Sequence, residues 1–261
     1  MQIFPKFVCV ISGKLVNFFS HKFQIMMKIP FTRRKFLRVL QLVIVSCFMS
    51  SIVAVLVCRF IPLNSSSYIL QKKISNLFSN KGGEIEQTWV SLEEISPYMQ
   101  LAVIASEDQR FPEHFGIDFE SIEKAVKDNK RRRNIRGAST ITQQVARNLF
   151  LWSGKSYIRK GLEVYFTFLI EVFWSKERIL EVYLNVAEFG DNIYGVESAS
   201  RKYFNKSALQ LTINESALLA ACLPNPKRYK AYAPSPYVVR RSGWIRRQMS
   251  QLGGISYLEK L

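Results

Sequence analysis

Between Val39 and Cys58 the chain loses its mixture of polar and apolar positions. The stretch VLQLVIVSCFMSSIVAVLVC holds no charged residue and is bracketed by Arg38 and Arg59. About 20 such residues cross a bilayer as a helix, and the scattered Ser, Gln and Cys draw no polar stripe of the kind a core helix shows. Residues 39–58 are therefore predicted to span a membrane. Beyond them a helical period returns. Tyr68–Phe78 reads as a short amphipathic helix between the breakers NSSS and NKGG, and a helical domain sets in near Trp89. Pro97 opens a helix behind Ser96 as N-cap, and Asp118 caps another with Ile122, Ala125 and Val126 at helical spacing. The run Lys127–Asn134 reads as a basic loop or a frayed helix end. Ser139 and Thr140 offer cap chemistry to a helix that carries Gln143, Gln144, Arg147 and Asn148 on neighbouring faces. RKGLEVYFTFLIEVFW predicts a very apolar helix, KERILEVYLNVAEFG one capped by Ser175, and NESALLAACLPNP one stopped by Pro224. In Tyr237–Leu252, Val238, Ile245, Met249 and Leu252 share one face and Arg240, Arg241, Arg246 and Arg247 lie elsewhere. That pattern predicts a helix docked on the core, with its arginines available to anionic lipid. No β-sandwich alternation and no internal repeat interrupts this; the fold class is mainly α.

Charge gives the span a direction. Residues 1–38 carry Lys6, Lys14, Lys22, Lys28, Arg33, Arg34, Lys35 and Arg38 and no Asp or Glu. The positive-inside rule keeps that segment in the cytoplasm and exports residues 59–261. The organisation is then a basic cytoplasmic segment (1–38), a transmembrane helix (39–58), a membrane-proximal linker (59–85) and an extracytoplasmic domain (86–261). No small-x-small cleavage site lies beyond Cys58, so the span reads as an uncleaved anchor rather than a signal peptide. Residues 1–26 are unlike a short cytoplasmic tail, which leaves Met1 and Met26 or Met27 as alternative translation starts. Of the four cysteines only Cys222 is exported, inside ALLAACL, so it is a core hydrophobe and no disulfide framework exists. The net charge of +17 calls for anionic partners. For an exported domain these are lipid head groups or a phosphorylated lipid, and no nucleic acid.

Candidate chemistry gathers in two places. EDQRFPEHFGID, Glu107–Asp118, packs carboxylates beside one of the chain's two histidines. Glu107 comes after the apolar LAVIAS and Glu163 stands in LEVYFTFLI, so both are candidates for desolvation, which suits a carboxyl to proton transfer. A pair of acids is what glycosyl chemistry often uses. The plain readings are a cap or surface pair for Glu107, and for Glu163 an ion pair with Arg159 or Lys160. STITQQVARN and KSYIRK gather hydroxyls, amides and cations near a helix start, a phosphate-binding arrangement or an ordinary polar face. His114 beside Pro and Phe reads as a hydrogen-bonded structural residue. No Cys/His zinc spacing and no EF-hand spacing is present, so no metal ligand is assigned.

EDQRFPEHFGID, GASTITQQVARN, RKGLE, SKERILEVYLN and NESALLAACLPNPKRY, in that order from Glu107 to Tyr229, resemble the motifs of the family 51 peptidoglycan glycosyltransferases. Flanking similarity covers residues 86–255, and one anchor with no transpeptidase domain resembles the monofunctional branch. The resemblance implies a lysozyme-like helical fold and polymerisation of lipid II into β-1,4-linked glycan with inversion and release of undecaprenyl diphosphate, in the bacterial inner membrane with the catalytic domain periplasmic. It implies that Glu107 is the general base and Glu163 a second acid near the departing diphosphate. Ser139, Gln143, Arg147, Lys155, Arg159 and Lys160 match the wall around that diphosphate. Asp108, Phe111, His114, Gln144 and Asn185 match motif positions that shape the cleft. Members usually carry Lys where this chain has Arg147 and Arg where it has Lys155; the charge is kept but the donor geometry is not. The resemblance requires no cofactor and leaves room for a divalent cation such as Mg²⁺ on the diphosphate. Its partners are lipid II, the growing glycan, membrane lipid and other proteins of cell-wall synthesis or division. A membrane-held lytic enzyme that cuts glycan, or a non-enzymatic assembly protein, are the competing readings; the cationic wall argues against the first and the intact acids against the second.

Overall fold

A computed structural model describes residues 33–63, 66–79, 84–129, 139–154 and 156–261. It divides into two units, one ending at Ile52 and one running from Val53 to Leu261. The predicted span is the heart of helix α1, Arg33–Cys58. Among the described residues it is the one helix long and apolar enough to cross a membrane.

The last turns of α1 belong to the second unit. Val55 is buried there, Trp174 Nε1 donates to its carbonyl, and Arg178 donates to the carbonyl of Cys58. Helix α2, Ser67–Ser79, matches the short amphipathic prediction. The domain proper begins with α3, Pro97–Glu107, whose residues Met99 to Ala105 are all buried. A helix that is apolar all round belongs in the middle of a fold, and α3 packs against α9, Ile213–Cys222, and α10, Pro236–Gln251. The other half is α5, Ile141–Phe150, set against both α6, Tyr157–Phe173, and α7, Lys176–Val186. Helices α4, Phe119–Asn129, and α8, Val196–Phe204, complete the set. Mainly α with one apolar N-terminal helix is therefore the observed class.

The predicted cap at Ser96 is corrected. Pro97 does occupy the first turn, but the Ser96 hydroxyl donates to the Leu211 carbonyl instead of capping the helix. Asp118 caps α4 as expected, accepting from the Ser121 backbone at 2.9 Å. Of the pair before α5, Thr140 is the cap, sharing a capping box with Gln143. The basic run beyond Asn129 lies outside the described residues.

A small sheet is not legible in the pattern. Strands β1 (Glu86–Gln87), β2 (Glu188–Gly190) and β3 (Ile193–Tyr194) lie in the order β1-β3-β2, with β1 parallel and β2 antiparallel to β3. The helix expected to reach Gly190 ends at Val186 because the chain turns here into β2. Gly195 allows it: its φ is +80°, and a Cβ would stand 2.9 Å from the Asn185 carbonyl oxygen. Asn185, fully buried, donates to the carbonyls of Val90 and Glu181 and accepts from the Val90 backbone, so it fastens the segment after β1 to α7.

Candidate active site

Glu107 is the last residue of α3, where a buried helix runs out into a cavity of about 550 Å³. The cavity is walled by residues 105–110, by Lys124 and Asp128 of α4, by Ser139 and Thr140, and by Trp244 and Gln248 of α10. The Glu107 side chain is 16% exposed. Gln144 Nε2 donates to one carboxylate oxygen at 3.1 Å, and the Arg241 guanidinium stands 3.7 Å from the other. Burial pushes the Glu107 carboxyl above its ordinary pKa, with Asp108 adding to the rise; Gln144 and Arg241 oppose it without cancelling it. Behind Gln144, the buried Tyr183 hydroxyl points at the amide oxygen at 3.4 Å, and its own ionisation is suppressed by burial.

The rest of the opening motif positions this carboxylate. Asp108 is buried, with one oxygen 2.8 Å from His114 Nε2 and the other accepting from the Ile141 backbone at 3.0 Å. It therefore ties the end of α3 to the start of α5, which carries Gln144. Phe111 is fully buried beneath the Lys176 ammonium, 4.7 Å from its ring centre. Lys176 also donates to the His114 carbonyl and pairs with Glu171, which accepts in turn from Thr142. His114 is structural in this sense, as its sequence setting predicts.

Asp108, His114 and Asp118 come close enough together to hold a cation. Their oxygens are already used. Asp108 serves His114 and Ile141, while Asp118 serves the backbone and hydroxyl of Ser121 and faces Arg110 at 3.5 Å. Only the buried His114 Nδ1 is left without a partner among the described residues; carboxylates already committed to protein hydrogen bonds leave too few open oxygens for a hard cation, and the trio reads as a network that shapes the loop.

Glu163 is built differently. It lies on α6 with 4% of its side chain exposed, and each oxygen has a cation: Arg159 Nη1 at 3.0 Å and Lys160 Nζ at 2.5 Å. The i−4 and i−3 ion pairs expected on the plain reading are both present. Neither Glu163 nor these cations line the Glu107 cavity. Gln144 and Arg147 instead line a second cavity of about 240 Å³, together with Tyr68, Tyr183, Glu188 and Tyr194. Gln144 is thus common to the surroundings of Glu107 and to the second cavity. Gln143 is buried and its side-chain carbonyl accepts from the Thr140 backbone, so that oxygen is a capping group. Lys155 lies outside the described residues.

Sequence reasoning misses Trp244, Tyr183 and the place of Arg241. The pattern of α10 leaves its arginines available to anionic lipid and does not show that the Arg241 guanidinium stands 3.7 Å from the Glu107 carboxylate. Val238, Ile245 and Met249 are buried as predicted, while Ser242 shares the inward face and Leu252 is the half-buried C-cap. Helical spacing fixes which residues share a face, but not which neighbour that face meets.

A family model described as transglycosylase matches residues 72–250. Curated relatives named biosynthetic peptidoglycan transglycosylase match over most of both chains. The one from Haemophilus influenzae is 56% identical over 221 residues, 84% of this chain and 89% of its own. The one from Cronobacter sakazakii is 55% identical over 208 residues, 79% and 86%. The one from Pseudomonas fluorescens is 51% identical over 211 residues, 81% and 88%.

Proposed function

Because the chain belongs to the transglycosylase family, we propose that it builds the glycan strands of peptidoglycan from lipid II, with Glu107 as general base. Peptidoglycan glycosyl transfer is the enzyme class; substrate, stereochemistry and residue roles are what the family resemblance implies. The 4-hydroxyl of the acceptor N-acetylglucosamine gives its proton to Glu107 as its oxygen bonds to the anomeric carbon of the N-acetylmuramic acid ending the growing chain. The bond from that carbon to the diphosphate breaks with its electron pair, and undecaprenyl diphosphate leaves. Attack opposite the leaving group inverts the centre and gives a β-1,4 bond.

One observation carries this reading: a carboxylate at the end of a buried helix, its pKa raised by burial, facing a cavity large enough for a sugar. A base whose pKa lies closer to neutrality than an ordinary carboxylate takes a hydroxyl proton more effectively in the transition state. Glu163 serves the leaving group indirectly. With both oxygens paired to Arg159 and Lys160, it orients those two cations toward a departing diphosphate and leaves the cluster one positive charge in excess. Arg147 adds a charged donor fork from α5, and Ser139 a hydroxyl at the cavity wall. Mg²⁺, where it acts, is read as a companion of the diphosphate rather than a resident of Asp108, His114 and Asp118.

Helix α1 is read as the single-pass anchor in the inner membrane, N-terminus cytoplasmic, which places the Glu107 cavity on the side where a lipid-linked sugar is exposed after export. The test supplies full-length protein in detergent with lipid II, and separately with purified peptidoglycan. Polymer from lipid II is expected. Release of muropeptides with no polymer would replace this reading with a lytic one.

A further inference from the structure

Arg241 comes from α10, far along the chain from the residues that the opening motif supplies. It approaches the Glu107 carboxylate oxygen that Gln144 does not bond. Its side chain is 20% exposed and its guanidinium stands 3.7 Å from Glu107 Oε1, an ion-pair distance rather than a hydrogen-bonding one. Among the described residues its buried Nε has no hydrogen-bond partner. Its plane lies 6.0 Å from the Trp244 ring centre, and Trp244 lines both the Glu107 cavity and a shallow groove shared with Tyr237, Arg240 and Arg241. A largely shielded guanidinium with an unpartnered Nε, beside a desolvated carboxylate, is costly as pure architecture. Surface arginines on the same helix show the cheap alternative: Arg246 donates to Asn214 at 2.9 Å.

We infer that Arg241 is a positioning residue for the base: it holds Glu107 ionised and aimed at the acceptor hydroxyl, and α10 thereby helps build the catalytic centre. This rests on the reading of Glu107 as the base. Among the described residues, the surroundings of Glu107 leave no other cation for the task. Its own segment contributes Ser106 and the like-charged Asp108. Helix α5 contributes the neutral Gln144, and α7 the un-ionised Tyr183, while Arg147 turns to the second cavity. Helix α9 packs along α3 through Ser216 and apolar residues, and Tyr257 of the C-terminal turn donates to the Gln109 carbonyl. Across the cavity, Arg110 is engaged by Glu113, Asp118 and Glu120, and Lys124 lines the α4 wall without pairing with Glu107.

The sign of the effect is definite. A cation stabilises the carboxylate, so Arg241 lowers the pH at which Glu107 becomes a base. Without it the acidic limb of the kcat–pH profile moves upward, by about one pH unit, and the neutral-pH kcat falls about 10–100-fold through lost alignment. KM for lipid II changes less than kcat, because the residue acts through Glu107. The experiment measures kcat and KM against pH for full-length wild type, Arg241→Ala, Arg241→Lys and Glu107→Gln on lipid II, with thermal melting of each. Arg241→Lys should return the limb toward its wild-type place while recovering only part of the rate, since an ammonium keeps the charge and loses the fork. A folded Arg241→Ala, or Arg241→Lys if the alanine variant fails to melt cooperatively, with wild-type kcat and an unmoved acidic limb overturns the inference. A loss confined to KM overturns it as well, by making Arg241 a substrate contact. If Glu107→Gln polymerises normally, the base reading itself falls, and this inference falls with it; if only the Arg241 results are negative, the base reading stands.

Discussion

Glu107 and Glu163 are both acids embedded among apolar residues, and the fold treats them in opposite ways. Glu107 has two neutral hydrogen bonds, from Gln144 and Ser106, one loosely placed guanidinium and a cavity in front of it. Glu163 has a close cation on each oxygen and lies outside that cavity. Burial raises the energy of a charge, but the partners decide whether the protein keeps a reactive carboxylate or a neutralised one. The first arrangement leaves room for a proton; the second holds two cations in place.

The largest expected break in that comparison is Glu107→Gln. The amide keeps the shape and cannot accept a proton, so polymerisation of lipid II should fall about 10²–10⁴-fold, while retention of a diphosphate lipid in a binding assay stays near wild type. Near-normal polymerisation by a folded variant would show that Glu107 is a cap or an ion-pair partner only.

Arg147→Ala comes next. Helix α5 presents Arg147 exposed at the second cavity, and losing a charge-assisted contact of ~1.5–3 kcal/mol should weaken both lipid binding and turnover by about 10–100-fold. If binding is untouched, the cationic wall does not include this residue. Glu163→Ala should act through its cations: Arg159, 12% exposed, would be left beside no carboxylate. Breaking a pair with one buried partner destabilises by about 3 kcal/mol, discounted here because Lys160 is half-exposed. Melting temperature should therefore fall together with activity, and Glu163→Gln should recover part of both through its remaining acceptor. Lost activity with wild-type melting and no rescue by Gln would make Glu163 a proton donor in its own right.

The smallest effect sharpens the contrast through pH. Glu107 has a folded pKa above its unfolded one, so ionising it costs stability that is absent below the unfolded value and appears as pH rises through the folded value. Glu107→Gln removes that cost. It should melt no lower than wild type at neutral pH and lose any advantage under acid, measured by calorimetry at both. A variant that melts lower at neutral pH would mean that Glu107 stabilises the fold through its pairs.

Much of the helical frame is present in local patterns. Caps at Asp118, Thr140, Ser156, Ser175 and Thr212 bond to backbone a few residues ahead, so a short window contains the whole cause. The ion pairs of Glu163 are equally visible, because residues three and four apart on a helix always meet. The span at 39–58 needs only length and the absence of charge. The small sheet is hidden because its strands are too short to show a period.

By itself, then, the sequence determined most of the helices, the caps at Asp118 and Ser175, the apolar span and the placing of Glu107 at the end of a segment bound for the interior, since each depends on a short stretch of neighbours. Only the tertiary structure decided that Gln144 and Arg241 meet different oxygens of Glu107, that Asp108 joins α3 to α5, and that Trp244 lines the cavity. Those contacts depend on how α3, α5 and α10 pack. Packing is set by the shapes of buried faces assembled from the whole chain, and no local window contains them.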